Sequence, residues 1–148
     1  MLTRRTGDAE RAEVIAQEVF ARAVVAPPRN PRPWLFAVAL NLVREQARTS
    51  ARHDRRLVLY KSEQPASAPR PDELFDRADR IAAVRRALDT LTERDRDALL
   101  LKAEGFSYED IAATLGLSRG AIGTTLARAR QRLIEAWQTQ QGARDAAS

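Results

Sequence analysis

The sequence predicts an all-α protein of two small helical domains joined by a flexible linker, and three observations carry that prediction. Apolar residues recur at helical spacing along most of the 148-residue chain, and no segment alternates as a strand does. Residues 61–71, Lys-Ser-Glu-Gln-Pro-Ala-Ser-Ala-Pro-Arg-Pro, interrupt that period with the composition of a linker. Eight aromatic residues are the whole supply of large core pieces, which suits two modest helical cores better than one sandwich or barrel. The expected boundaries are 1–58 for the first domain, 59–71 for the linker, 72–138 for the second domain and 139–148 for a disordered tail.

The first helix starts after Asp8, an N-cap residue, and runs to about Val25, with Ala12, Ile15, Val19 and Ala23 on one face. Four prolines between Ala26 and Pro33 forbid its continuation, and Pro33 suits the first position of the next helix. That second helix turns Leu35, Val38, Ala39 and Leu42 inward. Its far end is basic, and Arg44, Arg48 and Arg52, spaced by four, form one stripe. Past the linker, Asp72 caps a third helix to about Thr90, with Leu74, Ala78, Ile81 and Leu88 as its core face. Thr92, with Asp95 three residues on, is a capping-box pattern for a fourth helix that stops at Gly105. The acids of 72–79 and 89–97 recur beside arginines and read as exposed, ion-paired faces.

Residues 107–133 carry the most specific pattern. Ser107 and Asp110 start a short helix, Ala112 is small where a second helix must cross, and Gly116 suits a left-handed turn. Leu117 plugs the gap and Ser118 caps the next helix, whose inner stripe is Ile122, Leu126, Ala129, Leu133 and Trp137. Opposite that stripe lie Gly120, Thr124, Ala127, Arg128 and Gln131, flanked by Arg130 and Arg132. A polar face that turns basic suits the major groove, its start meeting base edges and its later arginines meeting phosphates. A plain helical hairpin with a basic face would explain the charge, but not the coincidence of apolar, small, glycine and capping positions. This is a helix-turn-helix. Gly120 and Gly123, inside the reading helix, either allow close approach to DNA or are tolerated near a helix start.

Charge agrees with an anionic partner. The net charge is +5; residues 1–58 hold eleven arginines against six acids, and 118–132 hold four arginines and no acid. The chain has no cysteine, so disulfides and thiolate metal sites are excluded. No apolar run reaches the length of a membrane span, and the N-terminus has no signal-peptide pattern, which points to a cytoplasmic protein. The single histidine, His53, lies beside Asp54 among arginines with no nucleophile motif nearby. With no phosphate-cradling loop or metal-ligand cluster, the sequence predicts no cofactor, no metal and no enzymatic activity.

The run Tyr108-Glu-Asp-Ile-Ala-Ala-Thr-Leu-Gly-Leu-Ser118, with Gly120-Ala-Ile and Leu126-Ala-Arg-Ala-Arg130, resembles the C-terminal domain of bacterial RNA polymerase sigma factors. The small two-domain extracytoplasmic-function (ECF) class is the nearest match. Ala16-Gln-Glu-Val-Phe20 and Pro33-Trp-Leu-Phe-Ala-Val-Ala-Leu-Asn-Leu42 resemble that class's N-terminal signatures, so the likeness extends over about 7–137. It implies binding of core RNA polymerase through Gln17, Glu18 and Phe20. It implies reading of the downstream (−10) promoter element by Asn41, Arg44, Arg48 and Arg52. For the upstream (−35) element it implies Ser118, Arg119, Gly120, Ala121, Thr124, Thr125, Arg128 and Arg130. Promoter DNA and core polymerase are then the expected partners, with an anti-sigma protein a further candidate.

The chain departs from the family pattern in three places. The family has another helix before the Gln-Glu helix, which this sequence is expected to lack. Ala37 and Leu40 stand where basic residues are common, and Gly123-Thr-Thr stands where Lys-Ser-Arg is common. Two other classes of function fit parts of the pattern: a helix-turn-helix regulator that never contacts polymerase, and a sigma-like interaction protein that does not open promoters. The linker carries a direct test: limited proteolysis should cut first within 61–71, and preferential cutting within 93–133 would contradict the two-domain division.

Overall fold

The computed structural model describes residues 1–54 and 72–147, with side chains described for 1–50 and 76–147. Seven helices and no strand occur among the described residues. They are α1 (Leu2–Thr6), α2 (Ala9–Val25), α3 (Pro31–Asp54), α4 (Asp72–Asp89), α5 (Glu93–Ala103), α6 (Tyr108–Leu115) and α7 (Arg119–Ala147). The expected linker, 59–71, lies outside the described residues, as do the side chains of Arg52, His53 and Leu74.

Local chemistry sets most of the helix ends. Asp8 accepts from the backbone N–H groups of Glu10 and Arg11 at 2.9 and 3.3 Å. Thr92 accepts from the Asp95 N–H at 3.2 Å, and Ser107 from the Asp110 N–H at 3.1 Å. Gly105 and Gly116 end α5 and α6 at φ 85° and 66°, backbone that a residue with a Cβ enters at a cost.

Five expectations change. A short helix, α1, precedes Asp8, and it closes at Gly7 with φ 70°. The second predicted helix begins at Pro31 rather than Pro33. Ile81 is 60% exposed, and α4 instead buries Ala83 and Ala87, because the long α7 lies against a narrow alanine face. Residues 139–147 are not disordered as expected: α7 continues to Ala147, with Arg144 within 3.8 Å of Asp79 on α4. Helix-favouring alanine and glutamine, together with that partner, extend it past Trp137. Finally, Asp95 and Asp97 belong to no exposed face; both are completely buried.

Two apolar clusters hold the molecule. Ile15, Val19, Ala39, Leu42 and Val43 pack between α2 and α3. Ala98, Leu101, Phe106, Ile111, Ala112, Ile122 and Leu126 form the core of the helix-turn-helix half. The halves are not independent. Leu40, on α3, is 2% exposed and belongs to the second cluster, where Phe36 meets Phe106 edge-on at 4.7 Å between ring centres. The Arg32 guanidinium covers the same Phe106 ring at 4.3 Å. Phe106→Ala should therefore cost about 3–5 kcal/mol of stability, read as a lowered denaturation midpoint, since it empties the core and removes both cross-half contacts.

Candidate nucleic-acid interface

The helix-turn-helix is α6, the Gly116–Ser118 turn and the first turns of α7. The Leu117 N–H donates to the Ala112 carbonyl at 3.0 Å, closing the turn while Leu117 packs against the core. Ile122, Leu126 and Ala129 are fully buried, so α7 is rotated as its apolar period requires. Ser118, Arg119, Gly120, Thr124 and Arg130 are exposed on its outer side, and Ala121 is half-buried. Among the described residues nothing occupies the space a Cβ would take at Gly120, so their packing does not demand glycine there.

Two of the expected readers do something else. Thr125 is 5% exposed and its hydroxyl donates to the Ala121 carbonyl at 2.8 Å, so its expected DNA contact is withdrawn. Its polar side chain disguised a position one residue from Leu126 and three from Ile122, on the edge of the buried stripe. Arg128 is partly exposed but not free. Its Nη2 and Nε donate to the Asp95 carboxylate at 2.8 and 3.4 Å, and Arg132 Nη1 donates to the same group at 2.9 Å. Asp95 thus ties α5 to the reading helix, and Arg119 and Arg130 are the exposed cations in its first turns without an ion-pair partner among the described residues.

The Arg44–Arg48–Arg52 stripe is likewise not one open face. Arg44 donates through Nη2 to Asp97 at 2.7 Å and lies 3.4 Å from Glu93, both on α5. Arg44 Nη1 also donates to the exposed Asn41 amide oxygen at 3.2 Å. Arg48 is exposed and carries no ion pair among the described residues. With Arg44, Arg94, Arg128 and Arg132 it lines a cleft of about 590 Å³ between the halves. On α2, Gln17 and Glu18 are exposed, Glu18 pairing with Arg22 at 2.8 Å. Phe20 is 60% exposed at the rim of an apolar groove of about 450 Å³ that includes Leu2, Leu35 and Phe36. It is not a core residue.

The electrostatics centre on α5. Burial acts to raise the Asp95 carboxyl, but the hydrogen bond and charge of Arg128, with Thr92 and Arg132, outweigh it and hold the group below its ordinary value. Arg128 is held further up by the same bond. Burial and the nearby Arg5 charge push the Arg96 guanidinium down, against Asp89, Asp97 and Glu93. Sequence reasoning missed Arg5, and it placed Asp95 and Asp97 among exposed ion-paired acids, because partners 33 and 92 residues apart leave no local spacing signal. Among the described residues, no group of three or more His, Cys, Asp or Glu could hold a metal ion, and no helix is long and apolar enough to cross a membrane.

A fold that is all-helical among the described residues, with a capped helix-turn-helix and a basic outer face in its C-terminal half, has the architecture of the helix-turn-helix class. Comparison narrows this class. Residues 81–133 match the family model described as Sigma-70, region 4. The chain is 33% identical over 138 residues to the ECF RNA polymerase sigma factor EcfG of Rhodopseudomonas palustris, covering 86% of this chain and 72% of that one. It is 32% identical over 137 residues to the ECF RNA polymerase sigma factor SigE of Mycolicibacterium smegmatis, covering 88% of this chain but only 53%, about half, of that longer relative. Among solved structures it resembles the sigma factor RpoE of Bartonella quintana, determined in complex with the anti-sigma factor NepR. The TM-score is 0.65 at 27% identity, over 93% of this chain and 87% of the other. The chain belongs to the family of ECF RNA polymerase sigma factors.

The Asp95 pairing predicts a pH dependence. Its folded carboxyl lies below the ordinary 3.8, so its stabilisation is complete above that value and is lost as pH falls through the folded value. Asp95→Asn should lower the melting temperature at pH 7 by roughly 5 °C. It should also flatten the acid limb of a stability profile below about pH 4; an unchanged limb would show that this pair does not govern acid stability.

Proposed function

We propose that this chain directs RNA polymerase to promoters and assists initiation, the helix-turn-helix half reading the upstream element and α3 the downstream one. It acts by binding rather than catalysis, in the cytoplasm, with core polymerase and promoter DNA as partners and an anti-sigma protein as a regulator. The observation that carries this reading is the reading helix itself, where Gly120 and Thr124 stand exposed opposite a buried stripe and Arg119 and Arg130 are exposed on its flank. The exposed Arg119 and Arg130 guanidiniums supply phosphate affinity that is independent of sequence, and Thr124, near the helix start, is the group proposed for base edges. On α2, Gln17, Glu18 and Phe20 are the exposed side chains proposed for polymerase, and the exposure of Phe20 supports that use of an aromatic side chain.

Run-off transcription with core polymerase and a binding-selected promoter tests the proposal: product should exceed the factor-free control, and none would refute it. In the same series, Arg130→Ala should weaken binding to every duplex and reduce the salt slope by about one. Thr124→Ala should lose roughly 1–3 kcal/mol of discrimination for the selected site alone. Phe20→Ala should lower polymerase capture while leaving DNA binding and the melting curve unchanged.

A further inference from the structure

The geometry points to a binding site for a phosphate chain, the linked phosphates of a nucleotide or of inorganic polyphosphate, in the cleft of about 590 Å³ bordered by α3, α5 and α7. Arg44, Arg48, Arg94, Arg128 and Arg132 line this cleft, and Glu93 is the only acid among the lining residues. Even with the buried Asp95 and Asp97 counted beside Glu93, the cations exceed the anions five to three. The volume falls within the roughly 300–1,000 Å³ of small-molecule sites.

Two features distinguish the cleft from a patch of solvated charge. Three of its guanidiniums are held from behind by carboxylates that water does not reach. Arg128 donates Nε and Nη2 to Asp95 and keeps Nη1, while Arg132 donates Nη1 to the same group and keeps Nε and Nη2. Arg44 is fixed on Asp97 at 2.7 Å. A planar fork held by one edge has lost its rotamer freedom before a ligand arrives, so binding costs less entropy. The second feature is unspent donors. Arg48 and Arg94 are exposed with no ion-pair partner among the described residues. Thr92, Glu93 and Arg94 place the start of α5 on the same cleft, and the backbone N–H groups of Glu93 and Arg94 have no hydrogen-bond partner among the described residues. They add the positive end of a helix to the guanidiniums. The cations stand on α3 at one side and on α5 and α7 at the other. A single phosphate meets only part of the set, whereas linked phosphates carry charge to both sides.

Calorimetric titration of the full-length protein with inorganic tripolyphosphate, at fixed ionic strength and without added metal, should show one saturable site per chain and a raised melting temperature. Orthophosphate should bind about tenfold more weakly or less. Arg48→Ala with Arg94→Ala breaks no ion pair and should weaken tripolyphosphate binding by about tenfold. Arg77→Ala with Arg86→Ala removes the same charge from exposed positions of α4 outside the cleft and should leave binding unchanged. Equal losses in the two variants, or titration without saturation, would overturn the site in favour of general charge attraction. Adenosine triphosphate separates the sources: tighter binding than tripolyphosphate assigns a nucleotide, and equal or weaker binding assigns the inorganic chain. If neither bound, the proposal would fall. It would fall equally if tripolyphosphate did not bind while a single-stranded oligonucleotide did and lost affinity in the cleft variant, since the cleft would then be a nucleic-acid groove.

Discussion

Two carboxylates on α5, Asp95 and Asp97, are buried without water, and most of the tertiary arrangement answers the demand they create. Two residues apart on a helix, they point to different sides. Asp95 faces α7 and takes Arg128 and Arg132, while Asp97 faces α1 and α3 and takes Arg5 and Arg44. Leaving either unpaired in the interior would cost several kcal/mol, so four arginines from three helices are drawn to one short element. Arginine suits the task because its planar fork can serve a carboxylate oxygen while its stem covers apolar neighbours. The core leucines and Phe106 drive compaction, but they tolerate many orientations; the charge pairs select one.

This arrangement gives the reading helix a defined seat. Its apolar stripe fixes rotation, the Gly116 turn fixes its angle to α6, and the Arg128–Asp95–Arg132 cluster fixes its position along α5. The division of arginines is functional as well as structural. Arg119 and Arg130 have no ion-pair partner among the described residues, whereas Arg128 commits Nε and Nη2 to Asp95. A count of arginines on the helical wheel overstates the charge offered to DNA.

The same economy shapes the N-terminal half. Leu40 occupies a position where the family commonly carries a basic side chain, and here it fills the core of the opposite half. The departure that weakens cationic character on α3 therefore strengthens the contact between halves. Phe20, in contrast, stays exposed at the rim of an apolar groove that shares Phe36 with that contact, leaving this aromatic side chain accessible.

How much was legible from residues alone divides along range. Asp8, Thr92 and Ser107 as caps, Gly116 as the left-handed turn and Ile122, Leu126 and Ala129 as the buried stripe were all readable, because each depends on neighbours within four residues. The sigma-like motifs were readable for the same reason. Four features depended on distant partners and were not: the burial of Asp95 and Asp97, the withdrawal of Arg44 from the basic stripe, the tie on Arg128 and the path of α7 beyond Trp137. A buried ion pair between residues 53 or 92 positions apart has no period and no local composition. The sequence by itself therefore determined the helices, their caps and the identity of the DNA-reading motif. Only the tertiary structure decided which arginines remain available to bind DNA, because a guanidinium's availability depends on the carboxylates that the fold brings within reach.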